Sequence, residues 1–134
     1  MIITYRSELD GVDWNEMKAA VAADDFDNGR TPEQLRSSFL ASHVVCVAYA
    51  DGKLVGTARA LSDGVCNAYV IDVWTRSDVR RRGIARTMLS QLEAQLGGQH
   101  VYLFSDDHVE VYRACGYRER PVGMEKVVGT WLRS

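Results

Sequence analysis

The spacing of apolar and polar positions changes several times along this chain, and the changes mark its elements. Ile2-Ile3-Thr4-Tyr5 predicts a short strand. Between Trp14 and Ala23 the apolar positions Trp14, Met17, Val21 and the alanines recur at helical spacing. The acidic stretch Asp24-Asp25-Phe26-Asp27-Asn28-Gly29 breaks that helix. Thr31, Pro32 and Glu33 then supply a hydroxyl cap, a proline at the first helical position and an acid in the first turn. They start a second helix that runs to Ala41. Val44–Tyr49 and Leu54–Arg59 are β-rich runs joined by Asp51-Gly52, a strong hairpin signal. A second Asp-Gly, Asp63-Gly64, returns the chain into Ala68–Trp74, which predicts a three-stranded antiparallel meander. After Arg76 the period becomes helical, with Ile84, Met88, Leu89, Leu92 and Leu96 on one face and Gly97-Gly98 as the stop. Val101–Phe104 predicts a buried strand, Asp106–Ala114 a helix closed by Gly116, and Met124–Trp131 a final strand. The expected order is β-α-α-β-β-β-α-β-α-β. A strand, a crossover helix and another strand imply a parallel pair inside an otherwise antiparallel sheet.

Composition adds boundaries to this picture. At 134 residues, with 46% hydrophobic and 25% charged, residues 1–134 are expected to form a single domain with a real core. Sixteen Lys and Arg against eighteen Asp and Glu leave a net charge of -2, so no global field draws in nucleic acid. No apolar run suits a membrane span, and the opening MIITYRSELDG lacks a signal-peptide core. The expected location is cytoplasmic. Cys46, Cys66 and Cys115 form no CxxC pair and share no ligand spacing with His43, His100 and His108, so no metal site is expected.

The residues richest in chemistry are Arg80-Arg81-Arg82-Gly83-Ile84-Ala85, between a strand and a helix. A helix N-terminus offers unpaired N–H groups and partial positive charge, and so binds phosphate readily. Gly83 lets an anion approach the backbone, Ala85 permits close packing, and the arginines add charge. Taken alone, the run fits a solvated basic turn as well as a pyrophosphate site. Its context is more specific. The chain resembles the GCN5-related N-acetyltransferase (GNAT) superfamily, whose acetyl-coenzyme A loop reads Gln/Arg-x-x-Gly-x-Gly/Ala; Arg80, Gly83 and Ala85 fill the three defined positions. Val111-Tyr112-Arg113-Ala114-Cys115-Gly116-Tyr117 is similar to the family's later helix, which carries a Tyr before Gly-aromatic. The ordered resemblance spans about residues 44–123.

The resemblance implies an α/β (α+β) GNAT fold, a mixed and mostly antiparallel sheet with a central splayed parallel pair and about four helices. It also implies an acetyl-coenzyme A dependent N-acetyltransferase acting on a primary amine. Backbone amides of Arg80, Arg81, Arg82, Gly83, Ile84 and Ala85 would cradle the pyrophosphate. Val73, Trp74 and Thr75 would pair with the pantetheine arm like an added strand, with an amide at or beside Thr75 polarising the thioester carbonyl. Ser105 stands where the family often sets an Asn against the pantetheine, in a Ser105-Asp106-Asp107 sequence that departs from that pattern. Tyr112 occupies the position of the family's general acid. Homodimerisation through the last strand is a family habit.

Asp72, a carboxylate inside an apolar strand, is the candidate base, acting through water. Burial there is expected to raise its pKa, and an ammonium-attracting role or an outward-facing position are the alternatives. Tyr69, Trp74 and Arg59 are lesser pocket candidates. Cys115, three residues after Tyr112, has no visible partner for covalent transfer. Asp24-Asp25-Phe26-Asp27, between the first two helices, would suit a cationic amine or stay a solvated loop. Two rival functions are a non-catalytic acyl-coenzyme A sensor and a nucleic-acid binder using Arg80 to Arg82; the net charge of -2 argues against the latter.

Overall fold

The computed structural model describes residues 1–133, and the chain divides into two compact units, Met1–Phe104 and Ser105–Ser134. In the first unit five strands lie side by side in chain order: β1 (Ile3–Arg6), β2 (Val44–Ala50), β3 (Lys53–Ser62), β4 (Asn67–Thr75) and β5 (His100–Tyr102). Neighbours from β1 to β4 pair antiparallel, while β5 runs parallel to β4. The parallel pair arises as the sequence predicted, because the chain crosses over through α3 (Ile84–Glu93). Before the meander come α1 (Trp14–Ala23) and α2 (Pro32–Leu40).

Local chemistry sets these boundaries. Asp13 caps α1 by accepting the N–H groups of Asn15 and Glu16, both at 3.0 Å. Thr31 and Gln34 form a reciprocal capping box at the start of α2. Asp51 (φ 51°) and Gly52 (φ 76°) are both left-handed, as the tight turn between two twisted strands requires.

Cross-strand partners share a face of the sheet, so the register sorts the side chains into two layers. Val45, Val47 and Trp74 pack with Met17 and Val21 of α1 and Leu35 and Phe39 of α2. Removing each such side chain from water contributes roughly 1.5–3 kcal/mol. On the other face lies α3, through Ile84, Met88, Leu89 and Leu92. Gly56 makes that approach possible: a Cβ there would meet Met88 Cε and Sδ at 3.1 Å and Ile84 Cγ2 at 3.2 Å. Because Gly56 is the register partner of Thr75, the first turn of α3 comes down beside the end of β4.

The second unit holds α4 (Val109–Ala114), which starts three residues later than its sequence predicts. Among the described residues, the expected strand at Met124–Trp131 does not form. This corrects the sequence reading. A strand exists through a partner's hydrogen bonds rather than its own propensity. Here Met124 and Val128 are exposed, and Gly129 (φ 70°) leaves the extended region.

The three thiols differ in access. Cys46 is buried, and loss of solvation pushes its thiol up to about 11, whereas Cys66 is exposed. Alkylation of the native protein followed by peptide mass spectrometry is expected to modify Cys66 and to leave Cys46 unmodified until denaturant is added. Early labelling of Cys46 would contradict this packing.

Candidate functional site

The ladder between β4 and β5 is short: Asn67, Ala68 and Tyr69 pair with His100, Val101 and Tyr102, and the pairing ends there. From Val70 to Thr75, β4 runs on with β3 on one side and no β5 partner on the other. Arg76 donates its N–H to the Val55 carbonyl at 2.8 Å, on the β3 side. Alternate residues of a strand turn their N–H groups to opposite edges, so the Thr75 N–H faces away from β3. The Thr75 carbonyl faces the same way and accepts from Arg80 Nε at 3.1 Å. A free strand edge of this kind is a template for an extended ligand.

The β4 strand is also bulged. Arg59 pairs with Ile71 but Thr57 pairs with Trp74, so β4 has one more residue than β3 over this stretch. Asp72 lies in the bulge at φ 56°, an uncommon conformation for a non-glycine residue. The extra residue puts both Ile71 and Asp72 on the α1–α2 face, where strict alternation would have separated them. Thr57 Oγ1 donates to the Asp72 carbonyl at 2.9 Å and holds the bulge from β3.

Past β4 a single turn of 3-10 helix (Ser77–Val79) leads to the basic turn. Arg81 (φ 66°) and Gly83 (φ 77°) are both left-handed, and Gly83 is the residue that caps α3. No group among the described residues accepts a hydrogen bond from the backbone N–H groups of Arg81 to Arg86. Alternating handedness lines such donors around a concavity that suits an anion. The side chains of Arg80, Arg81, Arg82 and Arg86 are exposed, while Ile84 turns into the core and Ala85 is half-buried. These donors fit a diphosphate.

For Asp72 the structure overturns the expectation of a raised pKa. Arg30, in the α1–α2 connection, donates Nη1 to Asp72 Oδ2 and Nη2 to Oδ1, both at 2.9 Å. Arg59 donates Nε to Oδ2 at 2.6 Å. Burial pushes the carboxyl up, but the hydrogen bonds and charge of Arg30, then those of Arg59, outweigh it and hold it below the ordinary value. Its side chain is 5% exposed, with Met17, Phe39 and Thr57 among the residues around it. Three of the carboxylate's acceptor sites are taken by guanidinium N–H groups, and the two positive charges lower its affinity for a proton.

The acidic loop is likewise engaged. Asp24 Oδ2 accepts from Trp74 Nε1 at 2.9 Å and from the Ser77 N–H at 3.1 Å, and Asp27 is paired with Lys18. Asp25 remains exposed. Trp74 therefore turns its side chain into the core (2% exposed), and by the same alternation its main-chain groups face β3; Val73 and Thr75 are half-buried. Arg30 was not singled out from sequence. The available signal was a buried aspartate in need of cations, which does not say that one of them lies 42 residues away.

The second unit carries the other two candidates. Tyr112 is half-buried, and its ring meets Tyr117 edge-on at 6.2 Å. Burial first, then the charges of Cys115 and Asp107, raise its phenol above the ordinary value of 10.0. Ser105 Oγ accepts the His108 N–H at 3.0 Å, so its hydroxyl serves the turn into α4. Among the described residues, no group of His, Cys, Asp and Glu is arranged to hold a metal ion, and no helix is long and apolar enough to cross a membrane.

The profile of the acetyltransferase (GNAT) family matches residues 12–117. An uncharacterized N-acetyltransferase, ycf52, of Pyropia yezoensis is 32% identical over 95 residues, 68% of this chain and 55% of that protein, so the chain spans about half that relative's length. A putative acetyltransferase from Deinococcus radiodurans shares the fold with a TM-score of 0.82 at 24% identity, over 92% of this chain and 87% of that one. Glucosamine-6-phosphate N-acetyltransferase from Arabidopsis thaliana does so with a TM-score of 0.73 at 17% identity, over 96% of this chain and 100% of that one.

Proposed function

Because the chain belongs to the acetyltransferase (GNAT) family, we propose that it transfers the acetyl group of acetyl-coenzyme A directly to a primary amine. One observation carries this reading: the free β4 edge, Val70–Thr75, is followed within a few residues by a turn whose amides have no acceptor among the described residues. A diphosphate and an extended amide-bearing arm need those two features in that order. Acetyl-coenzyme A, when bound, supplies an acyl group activated as a thioester.

The chain's own residues do the rest. The amides of Arg81 to Ala85 grip the diphosphate, with the arginines adding charge. Val73 and Thr75 offer main-chain groups to the pantetheine arm, and the outward-facing Thr75 N–H is the donor assigned to the carbonyl oxygen. With Asp72 committed to two arginines, no protein base is assigned. An ordinary alkyl ammonium, with pKa roughly 10.4, then loses its proton to solvent, and turnover rises with pH through the neutral range.

Tyr112, by its motif position, is assigned to protonate the departing thiolate. Its raised pKa keeps it a hydroxyl donor at neutral pH. Tyr112→Phe is expected to lower kcat about a hundredfold with little change in KM for the thioester. The opposite split would make Tyr112 a binding residue. Calorimetry with coenzyme A tests the site, and a thiol-release screen over polyamines, arylalkylamines, aminoglycosides, amino acids and peptides tests the reaction. Binding without turnover on any amine would favour an acyl-coenzyme A sensor.

A further inference from the structure

The bulge at Asp72 is held by four hydrogen bonds from side chains of other elements. Its carbonyl takes the Thr57 hydroxyl from β3, and its carboxylate takes a two-pronged grip from Arg30 and a third bond from Arg59. Both arginines are anchored in turn. Arg30 Nε donates to the Asp27 carbonyl at 3.1 Å, and Lys18 Nζ donates to the Arg30 carbonyl at 2.5 Å, which ties the α1–α2 connection to α1. Arg59 lies over the Phe39 ring at 5.6 Å and donates Nη1 to the Ser38 carbonyl of α2 at 3.3 Å. A left-handed aspartate is thus fixed by three side chains drawn from the α1–α2 connection and from β3. Three residues farther on, Thr75 presents its N–H at the free edge.

The bulge decides where that N–H points. Two-residue alternation fixes which edge each amide faces, and one extra residue shifts the count for everything after it. If the bulge relaxed into regular pairing, Val73 to Thr75 would exchange edges and faces, and the free edge would present different groups. Trp74, packed in the α1–α2 core, opposes that slip downstream of the bulge, while the bulged residue itself is polar and is held by hydrogen bonds.

We propose that Arg30, Arg59 and Thr57 form a positioning clamp on Asp72, which sets the register of Val73–Thr75 for the acyl arm without touching the ligand. The inference rests on the acyl-carrier reading of the site. It separates two parts of that site: the turn at Arg81–Ala85, which the clamp does not touch, and the strand edge, which it controls.

Adenosine diphosphate and acetyl-coenzyme A distinguish the parts, because the first has the diphosphate without the arm. Dissociation constants for both are measured by calorimetry in the wild type, Arg30→Gln and Thr57→Val. Wild type is expected to prefer acetyl-coenzyme A. Each variant is expected to keep its adenosine diphosphate affinity within about twofold while losing about tenfold toward acetyl-coenzyme A, the worth of one main-chain hydrogen bond. Arg30→Lys is expected to recover part of that loss. General destabilisation would weaken both ligands alike. Thr57→Val, close to isosteric and leaving no charge unpaired, decides the matter if Arg30→Gln does not fold. A folded Thr57→Val with the wild-type ratio of affinities overturns the clamp and leaves the acyl-carrier reading standing. A wild type with no preference for acetyl-coenzyme A overturns both.

Discussion

Gly83→Glu is expected to eliminate binding of coenzyme A while leaving the fold intact. A Cβ at this position meets nothing within 4 Å, so the added side chain has room. The backbone at φ 77° is left-handed, which costs a non-glycine residue about 1–2 kcal/mol, a strain the fold can absorb. The carboxylate, however, stands among the amides with no acceptor in the described residues, at the place assigned to the diphosphate. A unit charge about 6 Å from a phosphate, at an effective dielectric constant near 20, opposes it by roughly 3 kcal/mol, more than a hundredfold in affinity. Gly83→Ala carries the same backbone strain without the charge and is expected to weaken binding about tenfold at most. Calorimetry on both variants, with circular dichroism melts as the control for folding, separates charge from strain. Equal affinities for the two would remove the diphosphate from this turn.

Asp72→Ala is expected to be strongly destabilising. It leaves the guanidinium groups of Arg30 and Arg59, with side chains 8% and 9% exposed, facing each other without a counter-charge. Removing one partner of a buried ionic group costs about 3–5 kcal/mol, a large part of a small domain's whole stability. Urea unfolding at neutral pH measures it. The pH dependence has a definite sign. The folded carboxyl is held below its ordinary value of 3.8, so the native state binds this proton less readily than the unfolded chain does. Its contribution is present above pH 3.8 and is lost as pH falls through the lower folded value. The stability gap between wild type and Asp72→Ala should therefore narrow on acidification below pH 3.8. A gap that widened there would mean that Asp72 is protonated in the native protein.

Most elements of the first unit were legible because each carries its own local signal; β5 differs, spanning His100–Tyr102 rather than Val101–Phe104, with Tyr102 and Phe104 exposed rather than buried. Thr31-Pro32 starts α2, Asp51-Gly52 turns the hairpin, and the period of Ile84, Met88, Leu89 and Leu92 lays α3 on the sheet. The basic turn was legible for the same reason, since a helix start and a glycine lie within six residues. Asp72 was misread because a carboxylate's pKa is set by what surrounds it. Burial alone would have raised it, but Arg30, 42 positions away, and Arg59, 13 away, outweigh burial. The strand expected at Met124–Trp131 was misread for a related reason: apolar and β-branched residues prefer extended structure but do not provide the neighbouring edge that completes it.

By itself, then, the sequence determined everything that a few neighbouring residues settle among themselves: helix starts, tight turns, the periods of the strands, and the run of donors opening α3. Tertiary structure alone decided which groups meet. It made Asp24 and Asp27, which the sequence left as either an amine site or a solvated loop, into ties for Trp74 and Lys18. It put an extra residue into β4, and it enclosed Asp72 between two arginines. The physical reason is range. Capping and turn formation act over three or four residues, whereas the charge state of a buried group and the register of a strand depend on atoms brought close by folding from far along the chain.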